Sequence, residues 1–100
     1  MHDHLVLDAA RVPDFPTQME NVPEFLYLFL LERYGIRISA VRERLTANLA
    51  TAEDVQLLGV ELGGAVLVIN EVARDQVDAP TILAVHRAST SSYCYINEVR

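Results

Sequence analysis

The residues with reactive side chains come first. His2-Asp3-His4 places two imidazoles and a carboxylate side by side at the N-terminus, a donor set suited to a divalent cation. A metal needs a fourth ligand from elsewhere, and no second cluster offers one. Polar residues at a free end also tend to fray, so no metal or cofactor is expected. His86 stands alone in a strand-like run, where an imidazole bonds to a neighbour or faces water. Cys94 is the single cysteine; it lacks a Cys-His-Asp arrangement and has no partner for an intramolecular disulfide. Gly63-Gly64 precedes a strand-like run and not a helix N-terminus, which argues against a phosphate loop. Arg87 can hold a carboxylate, or can pair with a nearby acid such as Glu71.

Charge narrows the function classes further. The chain of 100 residues has a formal charge of −6 and no lysine. Proteins that grip nucleic acid usually concentrate Lys and Arg to displace counterions from phosphates, so DNA, if involved, is touched by something else. Half the residues are apolar (51%), enough for one core, and one domain over residues 1–100 is expected. The longest strongly apolar stretch, Phe25 to Leu31, falls well short of the ~20 residues that span a bilayer. Met1-His2-Asp3-His4 lacks the basic start and apolar core of a secretory signal. A reducing, cytoplasmic setting fits these features.

The positioning elements follow from periodicity and punctuation. Leu5, Val6 and Leu7 suit a short strand within His4 to Val12, ended by Pro13. Pro13 to Pro23 reads as a loop with room for a brief helical turn. Residues 23 to 34 form a helix, with Pro23 and Glu24 in its first turn and Gly35 as a left-handed stop. Its apolar arc is broad, combining Phe25, Leu28 and Phe29 with Leu26, Leu30 and Tyr34, which predicts a well-buried helix. Ile36 to Leu49 alternates as a half-solvated strand, with Val41, Leu45, Ala47 and Leu49 facing inward and Arg42, Arg44, Thr46 and Asn48 facing water. Thr51-Ala52-Glu53-Asp54 resembles a capping box with Asp54 in place of Glu or Gln, opening a helix of about two turns that Gly59 closes. Leu62-Gly63-Gly64 turns the chain into a hairpin of Ala65 to Ala73 and Thr81 to Ala88, joined through the polar turn Arg74 to Pro80. Tyr93-Cys94-Tyr95-Ile96 extends the second hairpin strand or begins another.

The order of these motifs resembles the UTRA domain, the effector-binding half of GntR-type bacterial transcription regulators of the HutC subfamily. Pro23-Glu24-Phe25-Leu26-Tyr27 followed by Leu31-Glu32-Arg33-Tyr34-Gly35 looks like one family segment. Thr51 to Val60 looks like a second, and Val66-Leu67-Val68-Ile69 with Ala79-Pro80 like the hairpin after it. The resemblance runs over nearly the whole chain. It implies an α+β fold, an antiparallel β-sheet flanked by helices as in chorismate lyase. It also implies a homodimer and a small-molecule effector that controls DNA binding by a separate winged helix-turn-helix. The family's first strands, with an arginine pair that grips anionic effectors, would lie before Met1, as would the DNA-binding part.

By the same resemblance, four residues fall at effector-binding positions. Asp8 stands where the family often has a Glu that accepts hydrogen bonds from the ligand, with a solvated strand-end carboxylate as the alternative. Tyr27 matches a helix-start Tyr near the effector, with a half-buried core Tyr as the alternative. Tyr93 takes the place of an aromatic close to the site, and Arg87 supplies a cation. Ile82, Ser89 and Ser91 replace the charged Glu, Arg and Asp that the pattern places there, which makes the usual anionic effector a poor fit. Three functions follow: the sensing and dimerisation domain of a regulator, which involves no catalysis; a chorismate-lyase-like enzyme; or a structural module that binds no ligand.

Overall fold

The computed structural model describes residues 1–16, 25–91 and 93–98. Six elements follow in order: β1 (His2–Leu7), α1 (Leu26–Tyr34), β2 (Ile38–Leu49), α2 (Ala52–Leu58), β3 (Ala65–Asp75) and β4 (Pro80–Ser89). The strands form one antiparallel sheet in the order β1-β4-β3-β2. The expected α+β architecture is therefore present, with the β3–β4 hairpin at its centre. The residues form two compact units, one comprising 1–4, 44–70 and 85–100, the other 5–43 and 71–84.

In the second unit, α1 covers a core of Val12, Leu30, Ile36, Ala73, Ile82 and Ala84. The helix stops as predicted. Gly35 adopts φ 67°, and the amides of Gly35 and Ile36 return to the carbonyls of Leu31 and Leu30 at 3.0 and 3.1 Å. A side chain at a positive φ would be strained, so glycine suits this stop. The helix is not buried all round, however. The row Leu26, Leu30, Tyr34 turns inward and Phe29 is half-buried against the rings of Phe15 and Tyr34, while Phe25 and Leu28 stay 70% and 51% exposed. Spacing of three and four residues selects that side of the helix. The predicted first residues, Pro23 and Glu24, lie outside the described residues.

Strand β1 begins earlier and ends sooner than predicted, because Asp8 breaks it ahead of Pro13. The Asp8 carboxylate accepts the Ala10 amide at 2.9 Å, and its carbonyl accepts the Arg11 and Val12 amides. A side-chain-to-backbone turn of this kind competes with the ladder. Strand β2 also departs from expectation: from Ser39 to Leu49 both faces are exposed, including Val41, Leu45 and Leu49. It lies at the sheet edge.

In the first unit, Ala50, Val66 and Val68 form the core, joined by Leu58, Val60 and Val85. The capping box of α2 is complete: Thr51 Oγ1 accepts the Asp54 amide, Asp54 accepts the Thr51 amide, and Gly59 closes the helix at φ 68°. Tyr93 to Ile96 form neither helix nor strand, so the alternatives of an extended or additional strand are both set aside.

Candidate functional site

Each unit is organised by one buried carboxylate. In the first, capping α2 carries Asp54 inside, where its side chain is fully buried. A buried ion is tolerable only when its lone pairs are filled. Here Oδ1 accepts Arg87 Nε at 2.8 Å and faces His2 Nε2 at 2.9 Å, while Oδ2 accepts Arg87 Nη2 at 2.8 Å, the Thr51 amide at 2.8 Å and the Thr51 hydroxyl at 3.1 Å. The Arg87 guanidinium beside it holds the Asp54 carboxyl far below the usual carboxylate range, and Asp54 in turn raises the Arg87 pKa. The expected alternatives for Arg87 were an effector or Glu71. The structure pairs it with Asp54 through a two-pronged contact.

Two residues of the N-terminal polar run have partners. His2 faces Asp54, and His86 Nδ1 meets Asp3 Oδ1 at 2.7 Å. Both pairs join β1 to residues that sequence spacing does not connect. Among the described residues, no group of three or more His, Cys, Asp or Glu could hold a metal.

In the second unit, Asp75 plays the organising part at the β3–β4 turn. Its Oδ1 accepts the amides of Val77 and Ala79 at 3.0 and 2.9 Å, and its Oδ2 pairs with Arg11. The Ala79 amide and the Arg11 guanidinium hold its carboxyl below the ordinary value. Arg11 also donates to Thr81 Oγ1 at 3.0 Å. Neither Asp54 nor Asp75 was singled out from sequence as a pairing site. The one signal was Asp54's place in the capping box.

The four candidate effector residues divide between the units. Asp8 and Tyr27 lie in the second; Arg87 and Tyr93 lie in the first. Asp8 is exposed and serves its own turn. The Tyr27 hydroxyl donates to Glu71 Oε1 at 2.8 Å, and burial together with that bond raises its pKa, so it stays a phenol through the neutral range. Tyr93 is 40% exposed. Ile82 is buried in the core, and Ser89 and Ser91 pair hydroxyl to hydroxyl at 2.7 Å.

Among the described residues, three hollows bear on ligand binding. One of about 510 Å³ in the second unit is lined by Leu5 and Leu7 of β1, by Ala9, Val12 and Phe15 after it, and by Leu26 of α1, with Asp14 and Pro16 completing the wall. Tyr27 lines a more open hollow beside Phe25 and Leu28. In the first unit, the loop after α2 and Ser89, Thr90 and Ser91 enclose about 410 Å³.

Comparison with known proteins places these features in a family. The UTRA domain profile matches residues 1–94. No curated protein sequence matches. Among solved structures, a GntR-family transcriptional regulator from Enterococcus faecalis V583 superposes with a TM-score of 0.85 at 15% identity, over 97% of this chain and 68% of that one. A ligand-binding domain from Bordetella bronchiseptica, assigned to a GntR-family transcriptional regulator, gives 0.85 at 24% identity over 98% of this chain and 64% of that one. The effector domain of PhnF from Mycobacterium smegmatis gives 0.85 at 17% identity, over 98% and 59%. The chain thus spans 64% and 59% of the latter two, and at these identities the likeness speaks to the fold.

Proposed function

Because the chain belongs to the UTRA domain family, we propose that it is the effector-binding part of a bacterial GntR-type regulator, in which a small molecule held here controls DNA contact made by a separate winged helix-turn-helix. The family match carries this reading, since it runs from residue 1 to 94 and so through both compact units. That continuity also supports treating residues 1–100 as one domain. The order of the helix, capping-box and hairpin motifs supports a place in the HutC subfamily. A charge of −6 without lysine supports leaving DNA to another domain. We read the chain as a cytoplasmic homodimer and a binding protein, not an enzyme, with Asp8, Tyr27, Arg87 and Tyr93 at effector positions. Of these, Tyr27 keeps an exposed ring beside a hollow, whereas Arg87 reaches an effector only by sharing or leaving Asp54.

Calorimetry and thermal-shift screening of the 100-residue chain against sugar phosphates, amino-acid derivatives, aromatic acids and neutral apolar compounds tests the reading. A ligand at a hundred times its Kd stabilises the fold by about 2.7 kcal/mol, an easily measured shift. Light scattering should report a dimer. A monomer indifferent to every compound class contradicts the proposal, and pyruvate release from chorismate contradicts its non-enzymatic part.

A further inference from the structure

The largest of the three hollows says what kind of molecule it accepts. Its wall is aliphatic and aromatic, contributed by Leu5, Leu7, Val12, Phe15 and Leu26, and its volume of about 510 Å³ falls within the range of small-ligand pockets. Among the described lining residues, one is ionisable, Asp14. Its carboxylate makes no hydrogen bond among the described residues, so it can accept one from a ligand. The neighbouring cation is withdrawn: Arg11 spends its guanidinium on Asp75 and Thr81. An anion placed here would meet the exposed Asp14 carboxylate, with no cation among the described lining residues to offset the repulsion.

We propose that this hollow is a ligand pocket of the effector-binding domain, separate from the four residues placed at effector positions, none of which lines it, and that it takes a small molecule with an apolar body and a hydrogen-bond-donating head, a hydroxyl or an amine, in place of a phosphorylated or carboxylated metabolite. The inference rests on the effector-binding reading and specifies the ligand class for it.

The test uses the neutral fluorophore N-phenyl-1-naphthylamine, which brightens in apolar sites, bound to the 100-residue chain and displaced by 1-octanol, octylamine, octanoate or glucose 6-phosphate. The alcohol and the amine should displace it at concentrations about tenfold lower than octanoate, and glucose 6-phosphate should not displace it. Ala9→Phe adds a ring to the wall without altering a core residue and should weaken probe binding about tenfold or more. Asp14→Asn keeps a residue type that tolerates the observed φ of 58°. It should narrow the preference for octylamine over octanoate by about fivefold, the scale of an exposed charge pair. Thermal unfolding by circular dichroism checks that both variants fold.

Tight binding of an anion that is indifferent to Ala9→Phe overturns the pocket and the ligand class but leaves the effector-binding reading standing. Failure of every compound class to bind overturns both. If Ala9→Phe instead turns a dimer into a monomer in light scattering, the hollow is a protein interface and the proposal is wrong.

Discussion

Replacing Arg87 with methionine tests whether this cation holds the fold or serves a ligand. Asp54 receives five hydrogen bonds from side chains and backbone, and Arg87 provides two of them, both at 2.8 Å. Hydrogen bonds to charged groups contribute about 1.5–3 kcal/mol each, so losing two removes roughly 3–6 kcal/mol before any relaxation. The Arg87 side chain is 19% exposed, so water can reach part of the space it leaves, and we expect a loss of about 2–4 kcal/mol. In a domain of this size that corresponds to a fall in Tm of roughly 10–20 °C. Urea unfolding of Arg87→Met, Asp54→Asn and the double variant closes the thermodynamic cycle. Once the carboxylate is gone, methionine at 87 strands no charge, so the double variant should recover at least half of the loss seen in Arg87→Met. A parent-like Tm in Arg87→Met, or a double variant as unstable as the sum of the singles, would refute the reasoning.

Two further outcomes follow from the same structure. Asp54 and Asp75 both have folded-state pKa values below the unfolded value. Their contribution is therefore fully present above the unfolded carboxylate pKa of about 3.9 and is lost as pH falls through the folded values; Tm measured from pH 7 down to 2 should drop below about pH 4, less steeply in Arg87→Met. Leu30 is fully buried at the centre of its cluster, so Leu30→Ala should cost about 2–5 kcal/mol in urea unfolding. A cost below about 1 kcal/mol would mean that α1 is not anchored through this residue.

The local elements of this protein are legible in its residues because their causes are local. Gly35 and Gly59 stop the two helices, Thr51 and Asp54 build a capping box within four residues, and the hairpin turns where Asp75 to Pro80 become polar. Family membership is legible in the same way, through the order of short motifs, each placed by its own turn or cap. The pairings that give the units their polar centres are not. Arg87 lies 33 residues from Asp54, His2 lies 52 from it, and Arg11 lies 64 from Asp75. These contacts exist because β4 runs between β1 and β3, a pairing order that no periodicity encodes. Tertiary structure also decided how the candidate site residues are used. Arg87, a possible effector cation by type and position, is bound to Asp54; Ile82 is part of a core; and the apolar hollow is built from residues that read separately as a strand end, a loop and a helix start. Side-chain type determines what a residue can bind, but the partner it reaches first depends on strand order and register.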